Sequence, residues 1–300
     1  MAARSGKVNW WKAVVIGVPT LWLLVLFLVP FAIVFKISLS ETAIAQPPYL
    51  PVFDWSTPAA LLESARKLGT QSYQFLAEDP LYFNAYLSSL RIAGISTVLT
   101  LLVAYPLAYA MSRASAGLRP VLVMLTVLPF WTSFLIRVYA WIGILRNEGY
   151  LNQFLLWTGI VDTPLAILNT NTAVYIGIVY SYLPFMVLPI YASLERLDGR
   201  LLEAAADLGC TPLGAFWRVT FPLSLPGVVA GALLVFIPAV GEFVIPDLLG
   251  GSQTLMIGKT LWDEFFTNRD WPVASAVAVM LLLVLVIPIV LFQRVQARSV

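Results

Sequence analysis

Glu195–Pro222 reads ERLDGRLLEAAADLGCTPLGAFWRVTFP, the one long polar interruption in the second half of an otherwise apolar chain. Between Asp198 and Leu208, apolar side chains at Leu201, Leu202, Ala205 and Leu208 recur at intervals of three and four, the spacing of one helical face. Gly209 follows where a helix ends in a left-handed turn, a conformation glycine enters without steric cost. Thr211 then offers a hydroxyl cap and Pro212 a first helical residue, and Leu213, Phe216 and Trp217 give this second helix an apolar side. The expectation is two short exposed helices around a glycine turn. Such a rigid knob suits docking into a groove on another protein, because ordered helices lose little further entropy on binding. On shape alone, an ordinary inter-helix loop folded against its own bundle fits equally well.

The composition around this stretch belongs to a bilayer. Hydrophobic residues make up 60% of the chain, charged residues 11%, and the mean hydropathy is +0.85, against roughly half apolar and a quarter charged in a soluble domain. A net charge of +2 leaves no basic surplus for nucleic acid. Histidine is absent, which excludes His-based triads, imidazole metal sites and His pH switches. The single cysteine, Cys210, cannot form an internal disulfide and reads as a small residue at a helix end.

Six apolar runs are long enough to cross about 30 Å of hydrocarbon: Ala13 to Phe35, Tyr86 to Met111, Pro120 to Leu145, Ala173 to Ala192, Pro222 to Ile245 and Pro272 to Phe292. The fold class expected is therefore all-α, a polytopic membrane protein with six transmembrane helices. Prolines inside the runs are tolerated in a membrane, where neighbouring helices satisfy freed carbonyls, and Gly227 and Gly231, four apart, permit close helix packing. The N-terminus, the loop after the second run, the polar stretch and the C-terminus carry ten Lys and Arg residues, against six in the alternate loops. That asymmetry puts both termini and the polar stretch in the cytoplasm. Ala43-Ile44-Ala45 has the look of a signal-peptidase site, but the preceding run of 23 residues exceeds the roughly 7–15 of a cleaved signal, so it reads as an uncleaved helix. The chain divides into 1–85, a transmembrane helix with a long periplasmic loop carrying a short surface helix around Ala59 to Leu68, then a five-helix core over 86–293 containing the loop 193–221, and a cytoplasmic tail over 294–300. Gly258-Lys259-Thr260 ends like a phosphate-binding loop, but Gln253 stands where that motif needs glycine, so no ATP site is expected in this chain.

Charges inside apolar runs are costly and therefore informative. Glu242 lies near the outer end of the fifth run, with Asp247 five residues on. At helical spacing the two carboxylates would share a face, and their natural partners are cations. The outer loops lean acidic, which concentrates a cationic solute. Aromatic residues including Phe130, Trp131, Tyr139, Trp141 and Phe243 are candidates to hold an ammonium group or its methylene chain. The alternative is that Glu242 pairs with Arg137 or Arg91 inside the bundle and only fixes packing.

Within the polar stretch, three residues separate Glu203-Ala204-Ala205 from Gly209, and nine more separate Gly209 from Val219-Thr220-Phe221-Pro222. This spacing resembles the EAA loop of permease subunits in binding-protein-dependent ABC importers, with Val219 and Phe221 replacing the usual Ile and Leu. From Tyr86 onward the chain resembles their shared five-helix core. LPFWTSFLIRVYAW (Leu128–Trp141), FIPAVGEFVIPDLLGG (Phe236–Gly251) and LWDEFFTNRDWPVASA (Leu261–Ala276) narrow the resemblance to the putrescine/spermidine permeases of bacterial polyamine importers. The resemblance implies a type I permease architecture in the inner membrane, not an enzyme, moving putrescine or spermidine by alternating access. Its implied partners are a homologous second permease, two copies of a cytoplasmic ATPase that binds ATP and Mg, and a periplasmic polyamine-binding protein, with no cofactor in this chain. Glu203, Ala204, Ala205, Gly209 and Pro222 would couple to the ATPase, and Glu242, Asp247, Phe243 and Trp131 would line the substrate path. The rival readings are a permease of the same architecture for another solute, an ion-coupled carrier, and, with no support from the residues, a membrane enzyme.

Overall fold

The structure, a computed structural model, describes residues 10–54 and 56–298. Arg4 and Lys7 of the N-terminal basic group and the last two residues of the 294–300 tail lie outside the described residues, as do the side chains of Lys12, Arg294 and Arg298. The chain forms two compact units, one built up to Asp79 together with Asp263–Met280, the other from Pro80–Trp262 and the chain from Leu281 on.

The first unit begins with one long apolar helix: α1 (Trp10–Leu23), a π-helical turn (Leu24–Leu28) and α2 (Val29–Ser38). The π turn falls just ahead of Pro30, where the wider ring of backbone accommodates a residue that can neither donate nor clear the preceding carbonyl. A two-residue ladder, β1 (Glu41–Thr42) with β2 (Tyr49–Leu50), pairs antiparallel with Glu41 opposite Leu50. Its strands are too short to leave a periodic signal. α3 (Pro58–Arg66) falls where a surface helix is expected, capped by Thr57 Oγ1, which accepts the Ala60 N–H at 3.1 Å. α4 (Gln71–Glu78) follows. Lys36 donates to the Pro51 carbonyl beneath the rings of Tyr49 and Phe53, and Thr42 donates to Asp270 at 2.7 Å.

The second unit is organised on three mutually packed helices. α5 (Pro80–Arg113) leads through α6 (Arg119–Val127), a 3-10 turn (Leu128–Trp131), α7 (Phe134–Leu145) and α8 (Tyr150–Trp157) to α9 (Asn171–Glu195). Then come α10 (Arg200–Asp207), α11 (Pro212–Ala215), a π turn (Phe216–Thr220), α12 (Phe221–Val240), α13 (Val244–Leu249) and α14 (Ile257–Trp262). A further π turn (Asp263–Thr267) precedes α15 (Trp271–Arg298), whose second half returns to this unit. α5, α9 and α12 pack against one another. One buried cluster gathers Ile92, Val138, Ile178, Val240, Ile245 and Leu249; a second gathers Tyr105, Met111, Met186, Ile190, Val228 and Val235. The Gly227/Gly231 pair lies on the α9 side of α12. A Cβ at Gly227 would stand 2.5 Å from the Pro189 carbonyl oxygen, and one at Gly231 3.0 Å from that of Met186.

Among the described residues, five helical stretches are long and apolar enough to cross a membrane, and a sixth if one bent pair counts as a single span. The bent pair falls on the expected third run, Pro120 to Leu145, which is broken rather than straight. The chain turns by 90° between Trp131 and Phe134, with Thr132 extended and its hydroxyl donating back to the Pro129 carbonyl at 2.8 Å. Proline starts the tight turn and the hydroxyl closes it, and uninterrupted apolarity conceals both. The fifth run is displaced as well: the span is the continuous helical stretch Pro212–Val240, so the second short helix expected after Gly209 is the beginning of the span itself. Phe221 N–H bonds to the Phe216 carbonyl across the π turn, the same device ahead of Pro222 as ahead of Pro30.

Candidate functional site

The break after α12 builds the site. Val240 ends the helix, Gly241 to Phe243 leave helical geometry, and α13 starts at Val244. The Glu242 side chain turns back over this new start: Oε1 accepts the N–H groups of Phe243 at 3.1 Å, Val244 at 3.0 Å and Ile245 at 3.4 Å. A carboxylate thus satisfies donors that a helix start leaves orphaned, and Pro246 sits in the first turn, where its missing N–H costs nothing. Oε2 accepts the Tyr182 hydroxyl from α9 at 2.5 Å. Glu242 is only 7% exposed. This geometry corrects the expectation that Glu242 and Asp247 share a helical face: α12 ends at Val240, before Glu242, Asp247 lies on α13, and their separation of five residues is not the three or four that brings side chains together on a helix. Asp247 instead pairs with Lys259 at 3.2 Å with its side chain more than half exposed.

The Gly258-Lys259-Thr260 triplet has a structural task here. A Cβ at Gly258 would stand 2.3 Å from the Gly241 carbonyl oxygen and 2.7 Å from that of Glu242, so only glycine lets α14 press on the Glu242 loop. Lys259 holds Asp247, and Thr260 donates to the Met256 carbonyl at 3.1 Å.

Glu242 borders a cavity of about 430 Å³ shared with Phe130, Phe134, Arg137, Tyr182, Phe185 and Phe243. Arg137, 9% exposed, lies over two rings, its guanidinium 5.2 Å from the Phe130 centroid and 5.7 Å from that of Phe134. Such contacts contribute roughly 0.5–2 kcal/mol each. Its Nε–H has no hydrogen-bond acceptor among the described residues. Neither Arg137 nor Arg91 comes within 4.0 Å of a carboxylate among the described residues, so Glu242 is not held by an internal ion pair. Of the aromatic candidates, Phe130 and Phe243 reach the cavity, and Phe243 also stacks on Trp262 at 4.4 Å. Trp131 is 72% exposed and outside it, Tyr139 is exposed, and Trp141 packs edge-on against Tyr180. Tyr182 escaped the sequence reading. Its signal is a hydroxyl inside an apolar run, which in a low-dielectric interior seeks a partner.

At the other end of the Pro212–Val240 helix, α10 turns only part of its apolar set inward. Ala205 is buried and Leu202 half-buried, whereas Leu201 and Leu208 are exposed beside Glu203 and Ala204. The expected single apolar face is thus split, because α10 rests on its neighbours along one edge. Gly209 has φ +79°, the left-handed turn expected of it. Thr211 Oγ1 accepts the Gly214 N–H at 3.2 Å with Pro212 as first helical residue. Leu213 and Trp217 are exposed, while Phe216 sits edge-on between Tyr105 at 5.7 Å and Tyr109 at 5.9 Å. Tyr105 in turn meets Ser224 at 2.9 Å. The segment is therefore fixed to α5 by aromatic contacts and still shows apolar side chains outward.

Residues 96–300 match the family model described as "Binding-protein-dependent transport system inner membrane component". The chain is 46% identical over 216 residues, 72% of its length and 78% of the relative's, to the spermidine/putrescine transport system permease protein PotB of Escherichia coli (strain K12). The PotB of Haemophilus influenzae is also 46% identical, covering 72% of this chain and 76% of the relative. Among solved structures, a bacterial alginate ABC transporter in complex with its alginate pentasaccharide-bound periplasmic protein superposes with a TM-score of 0.71 over 98% of this chain and 96% of that one, at 15% identity. That likeness extends the fold beyond the matched core, whatever the solute. Taken with the helical architecture above, these matches establish that the chain belongs to the family of binding-protein-dependent transport system inner membrane components, as a permease rather than an enzyme.

Proposed function

We propose that this permease carries polyamines, spermidine or putrescine, inward by alternating access. It works beside a homologous second permease, on two copies of a cytoplasmic ATPase, and receives its cargo from a periplasmic polyamine-binding protein. The observation that carries the substrate is the Glu242 carboxylate, buried in an aromatic-walled cavity without an ion-pair partner among the described residues; the relatives named for spermidine and putrescine support it. A carboxylate beside phenyl faces is the chemistry that receives an ammonium group and its methylene chain.

In this account the termini and the Glu195–Pro222 segment face the cytoplasm. Glu203 anchors in a groove of the ATPase, Ala204 and Ala205 let α10 approach closely, and Gly209 sets the bend. The exposed Leu208, Leu213 and Trp217 supply the apolar contact. ATP biases the two states only through contacts that differ between them. Movement of the docked segment is passed along the unbroken helix from Pro212 through Pro222 to Val240, directly before Glu242. The 86–293 core does this work, and the residues ahead of it add a helix and an outer loop.

Reconstitution of the two permeases in proteoliposomes, with and without ATPase and binding protein, tests the reading. Uptake of radiolabelled spermidine or putrescine that needs both added proteins and ATP supports it. Uptake without ATPase would make the protein an ion-coupled carrier, and an ATP-driven complex that carries neither polyamine would leave the coupling account standing and remove the substrate.

A further inference from the structure

The cavity at Glu242 contains a second buried charge for which cation transport has no evident use. Arg137 is 9% exposed, its Nε–H lacks an acceptor, and no carboxylate stands within 4.0 Å of it among the described residues. Both oxygens of Glu242 are already engaged, by three backbone N–H groups and by Tyr182. A packing role as the partner of Glu242 is therefore not what holds Arg137 in place. Fold stability does not call for it either, since taking a cation out of water without a paired carboxylate is costly.

Resting on the polyamine reading above, we infer that Arg137 sets how firmly the cavity holds a cation. Its fixed positive charge offsets the negative charge of Glu242 within the same low-dielectric space, where unscreened charges act strongly. A lone carboxylate there would retain an ammonium group tightly, and a carrier site must bind its cargo yet release it in the same cycle. The guanidinium also covers the faces of Phe130 and Phe134, which are then not open to the substrate. The wall left for a cation is the side of Glu242, Tyr182 and Phe243. One ammonium is drawn there, and a second is repelled from the Arg137 wall, which orients a diamine in the cavity. Arg137 is thus a specificity and release determinant that acts by charge across the cavity.

The test compares wild type, Arg137→Met and Arg137→Lys in the complete complex at equal membrane abundance. Equilibrium binding of radiolabelled putrescine to the purified complex without binding protein, the maximal uptake rate with it, and the thermal midpoint are read together. Arg137→Met is expected to bind putrescine about tenfold more tightly, to turn over several-fold more slowly, and to melt no lower than wild type. Arg137→Lys, which keeps the charge, stays near wild type in all three. Unchanged or weaker binding by Arg137→Met overturns the inference, as does a lowered midpoint with loss of uptake in both variants, the signature of a packing role. A wild-type complex that neither binds nor carries polyamine overturns the substrate reading and this inference with it. Normal wild-type transport with an indifferent Arg137→Met overturns the inference alone.

Discussion

Around the start of the Pro212–Val240 helix, Leu208, Leu213 and Trp217 stand 85%, 69% and 58% exposed; just past its far end Glu242 is 7% exposed, and Arg137 across the cavity 9%. One region keeps apolar side chains outside and the other keeps charges inside. Each arrangement costs free energy in the isolated chain: uncovered leucine and tryptophan forgo burial worth roughly 1.5–3 kcal/mol per side chain, and a buried charge forgoes its hydration. The difference teaches where each region finds its compensation. In the account proposed above, the apolar knob is completed when the ATPase covers it, whereas the charges are kept by local hydrogen bonds and ring faces until cargo arrives. A single helix joins the two, the route by which the proposed account carries a change in one to the other.

The largest effect is expected from breaking the knob. Gly209→Val places a β-branched residue at φ +79°, a left-handed conformation costing an ordinary L-residue about 1–2 kcal/mol and more with branching. ATP-driven uptake should fall by at least about tenfold, with membrane abundance and binding-protein-independent ATPase activity retained. Normal uptake by an equally abundant Gly209→Val protein would show that the bend does not transmit the stroke.

Glu242→Ala probes the opposite end and should act on stability. It leaves three N–H groups and the Tyr182 hydroxyl without their acceptor, at roughly 1–3 kcal/mol for each donor that stays buried and unpaired. The purified complex should melt several degrees lower, whereas Glu242→Gln, which keeps an acceptor oxygen, should melt close to wild type. Equal midpoints for the two variants would remove the capping role.

How much of this contrast the sequence displays depends on the range of the interactions. The knob is local: Gly209, Thr211 and Pro212 act on neighbours within three residues, and their spacing is visible in the chain. Its continuation into α12 is less so, because the π turn at Phe216–Thr220 absorbs Pro222 where a break would be expected. Glu242 is conspicuous as an acid near an apolar run, but its partner Tyr182 is 60 residues away, and the packing of α9 on α12 that brings them together rests on the contacts of Gly227 and Gly231. The same limit explains why Asp247 is drawn to Lys259 and why Trp131 lies outside the cavity. The 90° turn at Thr132 is written in one proline and one hydroxyl, too small a signal to interrupt a hydropathy pattern.

Tyr182→Phe gives the smallest effect. It removes one charge-assisted hydrogen bond while Oε1 keeps its three backbone donors, a loss of roughly 1.5–3 kcal/mol partly regained when the freed oxygen finds another donor. A slight fall in melting midpoint with unchanged fold is the expected reading, and uptake should change less than in any Glu242 variant. A Tyr182→Phe protein as damaged as Glu242→Ala would place the cation on the hydroxyl rather than the carboxylate.

The most direct measurement is uptake of radiolabelled putrescine and spermidine by the full complex, wild type against Glu242→Gln, at equal membrane abundance and alongside ATPase stimulation by the binding protein. Loss of uptake with stimulation retained is predicted, because the knob and its helix still answer to the ATPase while the cavity has lost its charge. Undiminished polyamine uptake by Glu242→Gln would contradict the account and leave Glu242 as a cap on α13.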